Sequence, residues 1–228
     1  DAHIALAMGV IDIGAMDRVD DWLARAAALD GVAGQRQPPG VAQPAPHETL
    51  WLQLGQLARL VLGAGAADAA QADAAAAALT EQLQSMPPVW SPDECLMVAV
   101  LLVHTRFTQQ RYEQFDFIAT LVEHPPLFDR ASAVMRARWH YISGFANYQI
   151  GKAERAEAAW KQGLALAHAQ GLAPSSLLLS LAMLRLLLDR GRLEEAERVQ
   201  AQVQPHWGAG RVRQLIELQQ MRARLHLL

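Results

Sequence analysis

Glycine punctuation constrains this chain more than any other feature. Gly151 and Gly191 each close one apolar-periodic segment and open another, and the residues that follow them are alike: KAERAEAAW after the first and RLEEAERVQ after the second. Aligning the two makes Ala156 and Ala196 equivalent at a spacing of 40 residues. A segment that runs as helix, turns on a left-handed glycine and returns as helix is a helical hairpin. One hairpin cannot bury its apolar face alone, so hairpins that recur along a chain stack. Strand signals are scarce, because Ala and Leu dominate and alternating β-branched runs are few.

The remaining breakers divide the chain in the same way. The spacing predicts helices over 2–13 and 16–29 meeting at Gly14, over 48–62 and 68–85 meeting around Gly63 and Gly65, and over 92–108 and 111–123 meeting near Gln110. Helices over 130–149 and 153–170 meet at Gly151, helices over 175–189 and 193–204 meet at Gly191, and a last helix starts near Arg211. SPDE at 91–94 reads as a capping box, with Ser91 as N-cap, Pro92 at the first helical position and Glu94 reaching back. DGVAGQRQPPGVAQPAP at 30–46, with four prolines and three glycines, is a loop inside the array. Small residues at Gly144, Ala156 and Ala196 allow helices to cross closely, and Trp160 is expected to fill the groove on the far side of the pair. These readings make the whole of 1–228 one all-α stack, with uncapped helices at either end that suit a piece of a longer protein.

The pattern resembles the tetratricopeptide repeat. That family carries a Trp, a Leu-Gly pair and a Tyr on its first helix, then a glycine turn, then Ala and an aromatic on its second. Trp51, Leu54 and Gly55 match the first-helix signature, and Gly144, Tyr148, Gly151, Ala156, Trp160 and Leu164 match most of one unit. The spacing departs from the family's usual 34 residues, and the turn near Gln110 has no glycine. AWKQGLALAHAQGL followed by DRGRLEEAERV is similar to the helical repeat region of MalT-like, LuxR-type transcription regulators. The resemblance implies a right-handed α-solenoid of about five tetratricopeptide-like hairpins plus a terminal helix. It implies a cytoplasmic, bacterial setting and flanking domains in the same polypeptide.

Chemistry-bearing motifs are few. No GxxxxGK[ST], GxGxxG after a strand, HExxH or GxSxG occurs, so neither an enzyme nor a cofactor or metal site is expected. The lone Cys95 rules out a disulfide within the chain and reads as a small packed hydrophobe, with a reactive thiol at a helix N-terminus as the alternative. The formal charge of −3 asks for no nucleic acid, although residues 131–228 hold 13 Lys and Arg against 7 Asp and Glu. RGR at 190–192 and RVR at 211–213 lie at helix boundaries with no stacking platform, so direct nucleic-acid binding is not expected. LLLSLAMLRLLL at 177–188 is broken by Ser180 and Arg185 and reads as a buried helix, not a membrane span.

What is left is binding along the concave side of the stack. Equivalent offsets on the first helices bring Gln56, His104, Phe145 and Arg185 inward, and one turn to either side adds Thr108, Tyr141, Tyr148, Gln149 and Asp189. That mixture suits a polar ligand with a flat apolar face, whether a small effector or a peptide or protein partner. Three functions fit: a sensor or interaction domain of a signal-responsive regulator, an adaptor that takes peptides or helices, or a spacer.

Overall fold

The computed structural model describes residues 66–87 and 90–203, with helical positions at 50, 53, 54, 56, 57, 219–221 and 223. The expected helices over 2–13 and 16–29, the 30–46 loop, Trp51, Gly55 and the start of the last helix at Arg211 lie outside the described residues. Every described element is helical: α1 (Ala66–Ser85), α2 (Pro92–Thr108), a 3₁₀ turn (Tyr112–Gln114), α3 (Phe115–Val122), α4 (Pro125–Phe128), α5 (Ala133–Gln149), α6 (Ala153–Ala169), α7 (Ala173–Asp189) and α8 (Leu193–Val203). The chain divides into two compact units, Asp1–Arg111 and Tyr112–Leu228.

In the first unit, α1 buries Ala72, Ala76, Leu79 and Leu83, a helical stripe that packs against α2. Ser91 starts α2 as its sequence predicts: its hydroxyl accepts from the Glu94 N–H, and the Glu94 carboxylate accepts from the Ser91 N–H at 2.8 Å. The helix is buried almost all round, from Glu94 to Val103. Near its end the buried Arg106 pairs with Asp73 of α1, which also receives Arg111 at 2.6 Å. The hairpin expected over 92–108 and 111–123 straddles the boundary between the units, and α2 pairs instead with α1.

In the second unit the expected 111–123 helix is broken. Tyr112–Gln114 winds as 3₁₀, α3 follows, and Pro125 and Pro126 open a further single turn, α4, that sequence reading missed. Beyond it the hairpins are regular. Helices α5 and α6 pack as a pair, α7 packs on both of them, and α8 packs on α7. Helices α5, α6 and α7 are each 17 residues long.

Their turns share one motif. After α5 the Lys152 N–H reaches the Asn147 carbonyl at 2.8 Å and the Gly151 N–H reaches the Tyr148 carbonyl at 3.1 Å. The same two bonds recur at Gly171, at Gly191 and, in the first unit, at Gln110. All four residues have left-handed backbone, and Gln110 adopts it (φ +58°) although it carries a side chain.

Trp160 sits differently from expectation. It is 2% exposed and lies directly over Gly144, where a Cβ would stand 2.5 Å from its Cδ1 and 2.7 Å from its Cε2. The missing side chain of Gly144 therefore makes room for the indole and not for a neighbouring backbone. Gly163 serves a tighter crossing, where a Cβ would meet the His140 Cβ at 2.8 Å and Leu179 at 2.9 Å. Ala156 and Ala196 are both fully buried, as their equivalence requires.

Candidate functional site

Helix α5 presents Tyr141, Phe145 and Tyr148 on one face, the spacing of successive helical turns. Helix α7 lies beside it and contributes Leu178, Leu181, Ala182 and Arg185, with Trp160 of α6 beneath. The three aromatics are half-buried and pack against the core. The Trp160 indole donates to the Tyr141 carbonyl at 3.0 Å, and the rings of Tyr148 and Trp160 lie 6.0 Å apart at 44°. The Tyr148 hydroxyl donates to the Asp189 carboxylate, tying the end of α5 to the end of α7. The Arg138 guanidinium stands 5.9 Å from the centre of the Tyr141 ring, a cation–π distance. The cavity enclosed here is about 40 Å³, and Gln149 and Arg185 are exposed.

So Tyr141, Phe145, Tyr148, Arg185 and Asp189 share one face across two hairpins. Gln56, His104 and Thr108 belong to the first unit. Gln56 is exposed, whereas Leu50, Leu54 and Leu57, at helical positions near it in the chain, are buried. His104 is half-buried in α2, and the exposed Thr108 turns its hydroxyl back to the Thr105 carbonyl at 2.7 Å.

A second and larger concavity lies on the other side of α5. It holds about 470 Å³. Helix α3 forms one wall with Phe115, Asp116 and Ala119; α5 forms the floor with Trp139, His140, Ser143 and Asn147; α6 forms the far wall with Arg155, Ala158, Ala159 and Gln162. Small residues stand on each wall: Ala119 on α3, Ser143 on α5, and Ala158 and Ala159 on α6. Two bridges span it: Trp139 donates to Glu123 at 2.9 Å, and Lys152 pairs with Asp116 at 3.0 Å. Burial, assisted by nearby Arg136, pushes the His140 imidazole down to about 4, so it is neutral at pH 7. Its ring meets Phe128 edge-on at 5.4 Å. Sequence reading missed this cleft. The polar series His140, Ser143, Asn147 at helical spacing along α5 is the signal that could have found it.

Several charged residues elsewhere pair with one another. Arg192, just past the Gly191 turn, binds Glu157 at 2.6 Å and Glu195 at 2.6 Å, and Arg190 binds Glu154 at 2.9 Å. Hydrogen bonds from Arg192 and Lys161 hold Glu157 down at about 2. Cys95 is 4% exposed, and burial with the neighbouring Glu94 pushes its thiol up to about 11, which leaves it protonated and a poor nucleophile at neutral pH. Among the described residues no three His, Cys, Asp or Glu are grouped to hold a metal, and no helix is long and apolar enough to cross a membrane.

The fold and these two concavities define an all-helical protein of paired helices. Comparison with family models, curated proteins and solved structures returns no match.

Proposed function

We propose that this chain is a non-catalytic interaction module, a right-handed α-solenoid of tetratricopeptide-like hairpins that serves a bacterial, cytoplasmic, signal-responsive transcription regulator of the MalT-like, LuxR type. The reading is supported by the recurring glycine turn, by the equal helices α5, α6 and α7, and by the seating of α7 on both members of the hairpin before it. Each helix is about one turn longer than a 34-residue unit allows, which accounts for the 40-residue spacing.

One observation carries the functional part: Tyr141, Phe145, Tyr148, Arg185 and Asp189, far apart in sequence, adjoin on the α5–α7 face. A partner that touches both helices favours the hairpin arrangement it binds best, and it can act only through that difference in affinity. The small enclosed volume indicates what kind of partner. About 40 Å³ holds a few waters, whereas small-molecule sites run to roughly 300–1,000 Å³. A polypeptide segment lying across the face is therefore the occupant, which also favours the adaptor reading of the same module.

The test places a photo-crosslinking residue at exposed Gln149 and reverses the charge at exposed Arg185 (Arg185→Glu) in the full-length protein. Crosslinking to a polypeptide that Arg185→Glu abolishes, at an unchanged melting temperature, is the expected result. If a reporter promoter loses its response in the same variant, the regulator reading holds; lost crosslinking with an unaltered promoter leaves the adaptor. Crosslinking that is absent, or indifferent to Arg185→Glu, refutes the face.

A further inference from the structure

We infer that the small pocket between α5 and α7 receives one branched aliphatic side chain, that of leucine or valine, from a partner segment that carries an acidic residue a few positions away. The inference rests on the reading that a polypeptide lies across the α5–α7 face, and it specifies the chemistry of that polypeptide.

The volume of the pocket sets the size of the group. Roughly 10–15 Å³ of such space admits one water-sized group, so about 40 Å³ admits about three or four. That is the branched end of leucine or valine. A phenyl or indole ring exceeds it, and a single methyl group leaves most of the walls without contact. The pocket is open to the surface, because Tyr141, Phe145, Tyr148, Leu178 and Ala182, which line it, are all partly exposed. Its lining is mostly carbon. The Trp160 N–H is given to the Tyr141 carbonyl and the Tyr148 hydroxyl to Asp189, so neither donor is available to an occupant. The same two bonds hold the walls before anything binds: one fixes the indole against α5, and the other ties Tyr148 to α7. A preformed pocket selects by shape, since widening it would break a bond.

Charge sets the neighbour. Leu178, Ala182 and Arg185 follow one another at helical spacing along α7, and the exposed Arg185 side chain is part of the pocket lining. On α5, Arg138 stands one turn before Tyr141, its guanidinium 5.9 Å from the centre of that ring. Among the described residues of this face, Asp189 is the anion that offsets these two cations, and it already accepts from Tyr148. The excess of positive charge favours Asp or Glu beside the aliphatic residue and disfavours Lys or Arg there.

The experiment selects short random peptides displayed on phage against the full-length chain, and against its Arg185→Glu and Ala182→Phe variants. Wild type is expected to enrich Leu or Val with Asp or Glu a few positions away. In a synthetic copy of an enriched peptide, exchanging the aliphatic residue for Ala or Trp should weaken binding by about tenfold or more. Exchanging the acid for Lys should weaken it by about threefold or more, an effect that shrinks as salt is raised. Arg185→Glu should turn the preference for Asp or Glu into one for Lys or Arg. Ala182→Phe should fill the pocket and remove the aliphatic preference. Because Ala182 is half-buried, that variant is read together with its melting temperature, and exposed Arg185→Glu does not depend on it. Peptides that crosslink at Gln149 but lack the aliphatic residue, take an aromatic in its place or keep the acid in Arg185→Glu overturn the inference and leave the polypeptide face standing. An aliphatic preference that survives in a folded Ala182→Phe protein does the same. No enrichment, or enriched peptides indifferent to both variants, overturns the face and the inference with it.

Discussion

Substituting Gly144 by Ala adds one methyl group at the point where the Trp160 indole rests. In an exposed helix the change would stabilise by about 1 kcal/mol, because Ala is the better helix former. Here the new Cβ would lie 2.5 Å from Cδ1 and 2.7 Å from Cε2 of the indole, and closer still to its nitrogen. Restoring ordinary contact moves the ring by roughly 1 Å. Trp160 is 2% exposed and donates to the Tyr141 carbonyl, so there is no free space to move into and the bond is strained or lost. Overpacking costs about 1–3 kcal/mol, and the displaced indole bond adds about 1 kcal/mol. Set against the helix-forming gain, the net loss is about 1–3 kcal/mol. Urea unfolding followed by far-ultraviolet circular dichroism reads this as a lower midpoint at an unchanged slope. A double-mutant cycle isolates the cause. Trp160→Phe is smaller and lacks the N–H, so Gly144→Ala should cost less in that background, with a coupling of about 1–2 kcal/mol. Additive losses, or a Gly144→Ala protein more stable than wild type, would refute the contact.

Two further outcomes follow from the turns and from His140. Gly151→Ala should cost about 1 kcal/mol through its left-handed backbone alone, since nothing lies within 4 Å of the added Cβ, whereas Gln110→Gly should raise stability by about 0.5 kcal/mol; thermal melts check both, and a loss in Gln110→Gly would contradict the shared motif. The His140 imidazole is held at about 4 against an ordinary value of 6.5, so the unfolded chain binds the proton more readily and stability is full above pH 6.5 but falls as the pH drops toward 4. The loss should reach roughly 2 kcal/mol, residual solvent access keeping it below the full shift. Melting temperatures from pH 7 to 4 should lose part of this slope in His140→Gln, and an identical profile would show that the ring is not desolvated.

Where local chemistry dictates a boundary, the sequence was a sufficient guide. Ser91, Pro92 and Glu94 place the start of α2, and the glycines at 151 and 191 place two turns, because capping and left-handed backbone depend on residues adjacent in the chain. Gln110 is the instructive exception: its turn copies the glycine turns bond for bond, and no glycine announces it. The tandem prolines at 125 and 126 were visible but were not read as a helix start. Trp160 was rightly expected to be buried, yet its seat on Gly144 depends on the crossing of two helices, which periodicity does not specify. The same limit separates the two concavities. Tyr141, Phe145 and Tyr148 fall on one face by helical geometry alone, so their grouping with Arg185 could be anticipated from the offset between hairpins. The cleft depends on how far α3 stands from α6, a distance set by packing between segments about 40 residues apart.

Because a helix of 17 residues and its short turn repeat every 20 residues, from Gly151 to Gly171 to Gly191, the chain has a modular length. Duplicating or deleting a whole hairpin leaves every downstream side chain aimed as before. Losing a single residue within a helix swings all that follows by about 100° and scatters both faces of α5. Variation in this protein should therefore enter at turns, or arrive in whole hairpins.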